Sequence, residues 1–389
     1  MKRIVVLAAI VFLAFAPAVA ADEMTEVYRL IYMQSEGLQQ KYAALLNLIE
    51  LGDREIAPIL GEALEELLRT QRNYESSSDK ELFARSVRAC AKALGEFKHE
   101  ESAAFLWDAV QQVGDPLTKA EALMAIGRMR AFDFSERIAL LLRDLNLKPT
   151  ADTDSGEKTA FGAIIALEKL KDPIGFSPVF FAGDAWYSQR VRQQADRSLP
   201  NIAADPTDLV KDILKVETPD RRLRALKLES ASGAGTERKI ETAVLALELG
   251  HKQIPRDKTE ARVAADVRKY ALKMLFAYKA KSATMVSVGI ASYENGFDDE
   301  EKLLGLAALG ANGTDPAAIA LRDIIIRLNQ DVRNGAGDET KTRMAKAAIE
   351  NAGSTKNKIV KTALILVASN DKWSNSVITA AQLAAKEIP

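Results

Sequence analysis

Two histidines, His99 and His251, and a single cysteine, Cys90, are all that the 389 residues offer for imidazole or thiol chemistry. The histidines are far apart, and neither belongs to the spacing that sets two zinc ligands on one helical face. His99, in "FKHEES", has a metal-ligand side chain, but a surface loop is its expected place. Cys90 falls at a compact position of an expected helix, where a thiol behaves as a small buried hydrophobe rather than a nucleophile. One cysteine cannot form an internal disulfide or a cysteine-built zinc site. "DTDSG", 152–156, alternates Asp152 and Asp154 as calcium loops do. Such a loop also needs Gly at its sixth position and Glu at its twelfth. Those places hold Glu157 and Ala163, so a solvated connection is expected. "DDEE", 298–301, reads as acidic residues favoured by the dipole at a helix start. The glycines of "SGAG", 232–235, follow no strand, and neither a Gly-x-Ser-x-Gly elbow nor a Walker loop occurs. The expectation is no catalytic residue, no metal, no cofactor and no enzyme activity.

Binding chemistry has two candidates. Aromatics make up only 6% of the chain, yet "PVFFAGDAWY" gathers Phe180, Phe181, Trp186 and Tyr187. Core packing between helices is the first expectation for this cluster, and a contact platform built on Trp186 and Tyr187 is the other. A line of cations recurs beside the starts of a repeated helix: Lys41, Lys119, Arg192, Arg224, Arg268 and Lys302. Either each meets an Asp or Glu of a nearby turn, which is the simpler reading, or the line grips an acidic partner. "NGT", 312–314, matches a glycosylation sequon and also an inter-helix turn.

The elements that carry these residues are set by a repeat. "VRQQADRSLP", from Val191, and "VRKYALKMLF", from Val267, both place Ala four residues on and Leu eight residues on. The same spacing begins at Gln40, Ser86, Thr118, Thr159, Glu301 and Lys341, with the small residues Ala44, Cys90, Ala122, Ala163, Gly305 and Ala345. A ninth start near Leu223 fits badly, because Lys227 and Ala231 take the key places. Positions four and eight apart share one helical face. The small one lets a second helix approach, and the aliphatic one fills the groove beside it. With starts 32 to 46 residues apart, the pattern predicts stacked helical pairs. "GDP", "KDP", "ADP" and "TDP" mark helix starts, since Asp caps and Pro fits the first turn. Alternating runs long enough for a sheet are absent, so the fold class is all-α.

The units "DPLTKAEALMAIGRM", "VRACAKALGEF" and "KLLGLAALG" resemble HEAT-type, armadillo-like repeats, in the variety also found in bilin-lyase-like proteins. The resemblance covers about residues 25–388. It implies a right-handed α-solenoid of about nine helical pairs, with the second helices lining a concave face. Glu168 and Pro200 depart from the Gly that ends the motif. Longer polar connections at 146–158, 229–237 and 330–340 suggest sub-blocks 22–145, 157–230 and 237–389 within a solenoid spanning 22–389. The last segment, "NSVITAAQLAAKEIP", is expected to cap the stack.

Lys2 and Arg3, the apolar run Ile4 to Ala16 and the small residues Ala18-Val19-Ala20 make residues 1–20 an expected signal peptide, with cleavage after Ala20 or, second, after Ala21. That run is too short to span a membrane, and no cysteine follows to take a lipid. Periplasm is the expected location, with full secretion open. Formal charge is −1, from 53 basic and 54 acidic residues, so no field for nucleic acid is expected. The leading expectation is an exported, non-catalytic scaffold that binds an envelope protein. A cell-wall glycan binder and a lyase or ligand-handling protein are the alternatives.

Overall fold

Helices account for every regular element among the residues that the computed structural model describes, 23–389, and no strand occurs among them. The expected signal peptide, 1–20, and its cleavage sites lie outside the described residues. No helix among the described residues is long and apolar enough to cross a membrane. The chain forms two compact units, one through Ala203 and one from Ala204.

The first unit runs α1 (23–34), α2 (Leu38–Glu50), α3 (Ala57–Thr70), α4 (Ser77–Phe97), α5 (Ala103–Gln112), α6 (Pro116–Met129), α7 (Ser135–Leu147), α8 (Thr153–Leu170), α9 (Phe176–Ala182) and α10 (Gln189–Ile202). Each odd helix from α3 onward pairs with the even helix after it. The even helices α2, α4, α6, α8 and α10 pack side by side in that order as a second layer. This is a helical-repeat fold. The 146–158 connection lies inside the unit, where α7 and α8 pack on one another.

Local signals place the helix starts. Asp115 caps α6 by accepting from the Thr118 amide at 2.8 Å, with Pro116 in the first turn. Asp152 caps α8 in the same way, so "DTDSG" is a helix start. The repeat then decides the packing. Ala44, Cys90, Ala122, Ala163 and Ala195 are buried, as are Leu48, Leu94, Ile126, Leu167 and Leu199. Burial pushes the Cys90 thiol up to about 12, so it is not an activated nucleophile.

Glycines bring the second-layer helices unusually close. A Cβ on Gly127 would meet the Ala166 Cα at 2.6 Å, and one on Gly162 would meet the Ala120 Cα at 2.6 Å. Gly95 is set against the Ala125 Cα in the same manner, at 2.8 Å. Where Glu168 replaces the repeat's glycine, packing is exchanged for hydrogen bonds. Its carboxylate accepts from Ser198 Oγ at 2.6 Å and from Asn201 Nδ2 at 3.1 Å, both on α10.

The helix ends hold a feature that composition does not show. α4, α6 and α8 each stop at a residue in the left-handed region: Lys98 (φ 56°), Arg130 (φ 61°) and Lys171 (φ 57°). Glycine is the ordinary occupant there, and a side chain costs about 1–2 kcal/mol.

The second unit runs α11 (Thr207–Val216), α12 (Pro219–Ala231), α13 (Thr236–Lys252), α14 (Lys258–Ala277), α15 (Ala283–Asn295), α16 (Asp299–Asn312), α17 (Asp315–Arg333), α18 (Glu339–Ser354), α19 (Lys361–Ala368) and α20 (Asn375–Glu387). Even helices again stack in order as one layer and odd helices as the other. The expected start at Leu223 is corrected by two residues. Ala225 and Glu229 are the buried pair of α12, while Lys227 and Ala231 are exposed. The 229–237 connection is pinned inside this unit, because Lys239 Nζ donates to the carbonyls of Ser230 (3.0 Å) and Ser232 (2.8 Å). At the far end α20 packs on α18 and α19, and Trp373 donates to Asn329 Oδ1 at 2.8 Å.

Candidate functional site

The basic line divides into paired and unpaired members. Lys41 lies 2.6 Å from Glu66 and over the Tyr32 ring, and so is part of the α2–α3 packing. Arg268 is buried against the fully buried Glu301, with bonds of 2.6 and 3.0 Å, and its third contact is the Gly250 carbonyl at 3.2 Å. That withdraws Arg268 from any contact surface. Glu301 also holds the Phe297 amide at 2.9 Å, so "DDEE" does more than favour a helix dipole. Arg224 is half-buried and not free. Lys119 and Lys302 are half-buried, and Arg192 is exposed; none of the three has an ion-pair partner among the described residues.

Each histidine meets a buried serine. His99 is half-buried rather than in an open loop, with Nδ1 2.8 Å from Ser102 Oγ and Nε2 3.4 Å from Glu101. His251 Nε2 lies 2.9 Å from Ser292 Oγ, but Ser292 is fully buried and out of reach of a substrate. Burial first, and then the neighbouring Arg268, hold the His251 imidazole below its ordinary range. Asn312 of the sequon is buried and donates to the Ala280 carbonyl at 3.0 Å, as an inter-helix turn requires. Among the described residues, no group of three His, Cys, Asp or Glu could hold a metal ion.

The aromatic cluster packs inward. Phe176 and Phe180 stack in the core with centroids 6.5 Å apart. Tyr187 is buried and donates to Asn146 Oδ1 at 3.0 Å. The Trp186 indole N–H donates to the Leu145 carbonyl at 2.8 Å, and its ring leans on Tyr187. The pair therefore clamps the end of α7 and the connection after it, instead of standing open as a platform.

The sequence reading missed a groove of about 450 Å³ on the second-layer face of the first unit. Leu117, Met124 and Phe161 supply apolar surface, with Arg88, Glu121 and Arg190 among the polar groups around it. Leu117 is 46% exposed and so offers its side chain to the groove. Arg128 grips Glu121 with two bonds of 2.9 Å, and the Arg190 guanidinium lies 5.4 Å from the Phe161 ring centroid. The groove takes Leu117 and Glu121 but not Lys119, and Arg190 and Val191 but not Arg192. An extended segment with apolar and charged side chains matches this combination. The one sequence signal was Leu117, an apolar residue in the first turn where a polar one is usual.

Glu229 is the second group that the repeat reading missed. It fills a place that is aliphatic in the sister helices, is fully buried, and leaves Oε2 without a partner. Thr207 Oγ1 sits 2.6 Å from Asp205 Oδ1 and 2.8 Å from Glu229 Oε1. A hydroxyl has one proton to give. The Thr207 bond holds Asp205 below the usual carboxylate range, whereas burial raises Glu229. The two carboxylates therefore compete for the single Thr207 hydroxyl proton. Because the folded pKa of Glu229 lies above the unfolded value of about 4.3, its stabilising contribution is full below that pH and is lost as pH rises through the folded value. Glu229→Gln should remove this slope, so that urea denaturation midpoints of the variant fall less than those of wild type between about pH 4 and neutrality.

Comparison with known proteins adds little. No family model matches the chain, and no curated protein matches it. Among solved structures the chain is similar to a circular tandem repeat protein with novel repeat topology and enhanced subunit contact surfaces. That match has 12% identity, 95% coverage of this chain, 94% coverage of the other and a TM-score of 0.20. At that score the likeness carries no argument, and the helical-repeat assignment rests on this chain's own layers.

Proposed function

We propose that the protein is an exported, non-catalytic scaffold of HEAT-type, right-handed solenoid repeats that binds a protein of the cell envelope. The observation that carries this reading is the groove across α4, α6, α8 and α10, where apolar side chains lie among charged ones on a rigid face. Stacked repeats characteristically bind through such extended surfaces. Export is supported by the charged, apolar and small-residue order of residues 1–20, and periplasm is the compartment proposed. The glycan alternative rested on Trp186 and Tyr187, whose polar atoms are already bonded to Leu145 and Asn146.

The test is photo-cross-linking in the native host from position 161, with exposed Arg143 on α7 as the control position. One discrete adduct from position 161 and none from 143 is expected, and Leu117→Glu should abolish it. Equal labelling from both positions, or an adduct indifferent to Leu117→Glu, would count against the groove.

A further inference from the structure

Every described non-glycine residue with positive φ in this chain is a lysine or an arginine: Lys98, Arg130, Lys171, Lys279 and Lys356. In the first unit three of them end consecutive second-layer helices and open onto one cleft of about 420 Å³. Arg128 and Lys169 join them there, against a single acid, Glu96. The cations expected at the helix starts are thus outdone by a set at the opposite ends.

Internal pairing does not account for the set. Arg128 is held by Glu121 at 2.9 Å, and Lys169 lies 3.9 Å from Glu168. Lys98, Arg130 and Lys171 are exposed and have no ion-pair partner among the described residues. Among the acids in the turns that follow, Glu101 faces His99 at 3.4 Å and Asp172 accepts from the Ile174 amide at 3.1 Å, while Glu100 and Asp133 are exposed and form no ion pair with these cations. The negative end of a helix dipole favours a nearby cation. It does not require that the cation occupy the left-handed cap, where glycine fits without strain. Gly95 and Gly127, which admit the next helix so closely, also line the cleft and bring its cations together.

We infer that this cleft binds an acidic segment of the partner protein, its carboxylates meeting Lys98, Arg130 and Lys171. Charge alone would also suit a phosphate, but the helix ends present carbonyl oxygens beside the cations. A peptide brings a row of N–H donors for those oxygens together with carboxylates for the cations, whereas a fully ionised phosphate brings only acceptors. Neighbouring helix axes lie about 8–10 Å apart, so an extended stretch of about six residues spans the three caps. The inference rests on the scaffold reading in taking a protein segment as its occupant.

The test is fluorescence anisotropy of a labelled oligoglutamate peptide of about ten residues, long enough to exceed that span. Purified protein is compared with the triple variant Lys98→Gln/Arg130→Gln/Lys171→Gln. A second triple, Lys80→Gln/Lys148→Gln/Arg192→Gln, makes the same charge change at exposed positions outside this cleft. Circular dichroism melts check that both remain folded. Binding should weaken about tenfold or more in the first triple, roughly 1.4 kcal/mol per tenfold, and change little in the second. No binding by wild type near physiological salt, or equal weakening in both triples, would overturn the inference. So would tighter binding of inorganic polyphosphate or phosphatidylglycerol vesicles through the same three residues. Adduct formation from position 161 is read separately. Its persistence in the first triple, with oligoglutamate binding also unchanged, would overturn the cleft and leave the groove standing.

Discussion

Gly127→Ala and Gly162→Ala should each lower the stability of the first unit by about 1–3 kcal/mol, the range for forcing extra atoms into a packed core. In both cases the new methyl would fall 2.6 Å from a backbone Cα of the facing helix, Ala166 or Ala120. No side-chain rotation relieves a clash with backbone, so α6 and α8 must move apart. Separation would loosen Ala122, Ala163 and Ile126 together, since all three are fully buried in the same layer. The double variant should cost less than the two singles combined, because helices already parted by the first methyl accept the second more easily. Gly114→Ala is the control, with nothing within 4 Å of the added carbon. Its stability should change by no more than about 0.5 kcal/mol. Urea denaturation followed by circular dichroism reads all four. A Gly127→Ala curve coincident with wild type would show that the close helix approach is not a structural requirement.

The second large effect belongs to Arg268 and Glu301. Glu301→Ala or Arg268→Ala should destabilise the second unit by about 3–5 kcal/mol, the usual result of leaving one buried charge without its partner. Glu301 has no exposed surface and also accepts from the Phe297 amide, so its removal frees a backbone donor as well as the guanidinium. The double variant Arg268→Met/Glu301→Leu should recover most of the loss, because replacing both charges removes the desolvation cost of each. Thermal melts of the two singles and the double decide it. Singles that melt within about a degree of wild type would mean that the pair is solvated and the packing described here is wrong.

The helical class was legible because small and aliphatic residues recur four places apart, and that spacing has one physical meaning on a helix. Ala122, Ala195 and Ala271 are all fully buried, as the pattern requires. What stayed hidden depends on partners distant in sequence. For Arg268 the sequence allows a nearby acid, the simpler reading, or a contact surface, and only the fold shows that Glu301, on the next second-layer helix, neutralises it. For Tyr187 core packing is the first expectation, but its hydroxyl's partner, Asn146, is too distant in sequence to be read from it. The start near Leu223 was misplaced because Glu229 stands where a leucine or isoleucine would have kept the register. Lys98, Arg130 and Lys171 gave no signal, since a basic residue at a helix end is ordinary and only the backbone dihedral sets these apart.

The proposed protein partner docks in the groove lined by Leu117, Met124 and Phe161. The most direct measurement is calorimetric titration of the purified protein cross-linked from position 161 against wild type and Phe161→Glu. Saturable binding to wild type, weakened about tenfold or more by the substitution, is the predicted result, since a buried carboxylate facing apolar groups is strongly disfavoured. Equal affinity for the two proteins would contradict the claim.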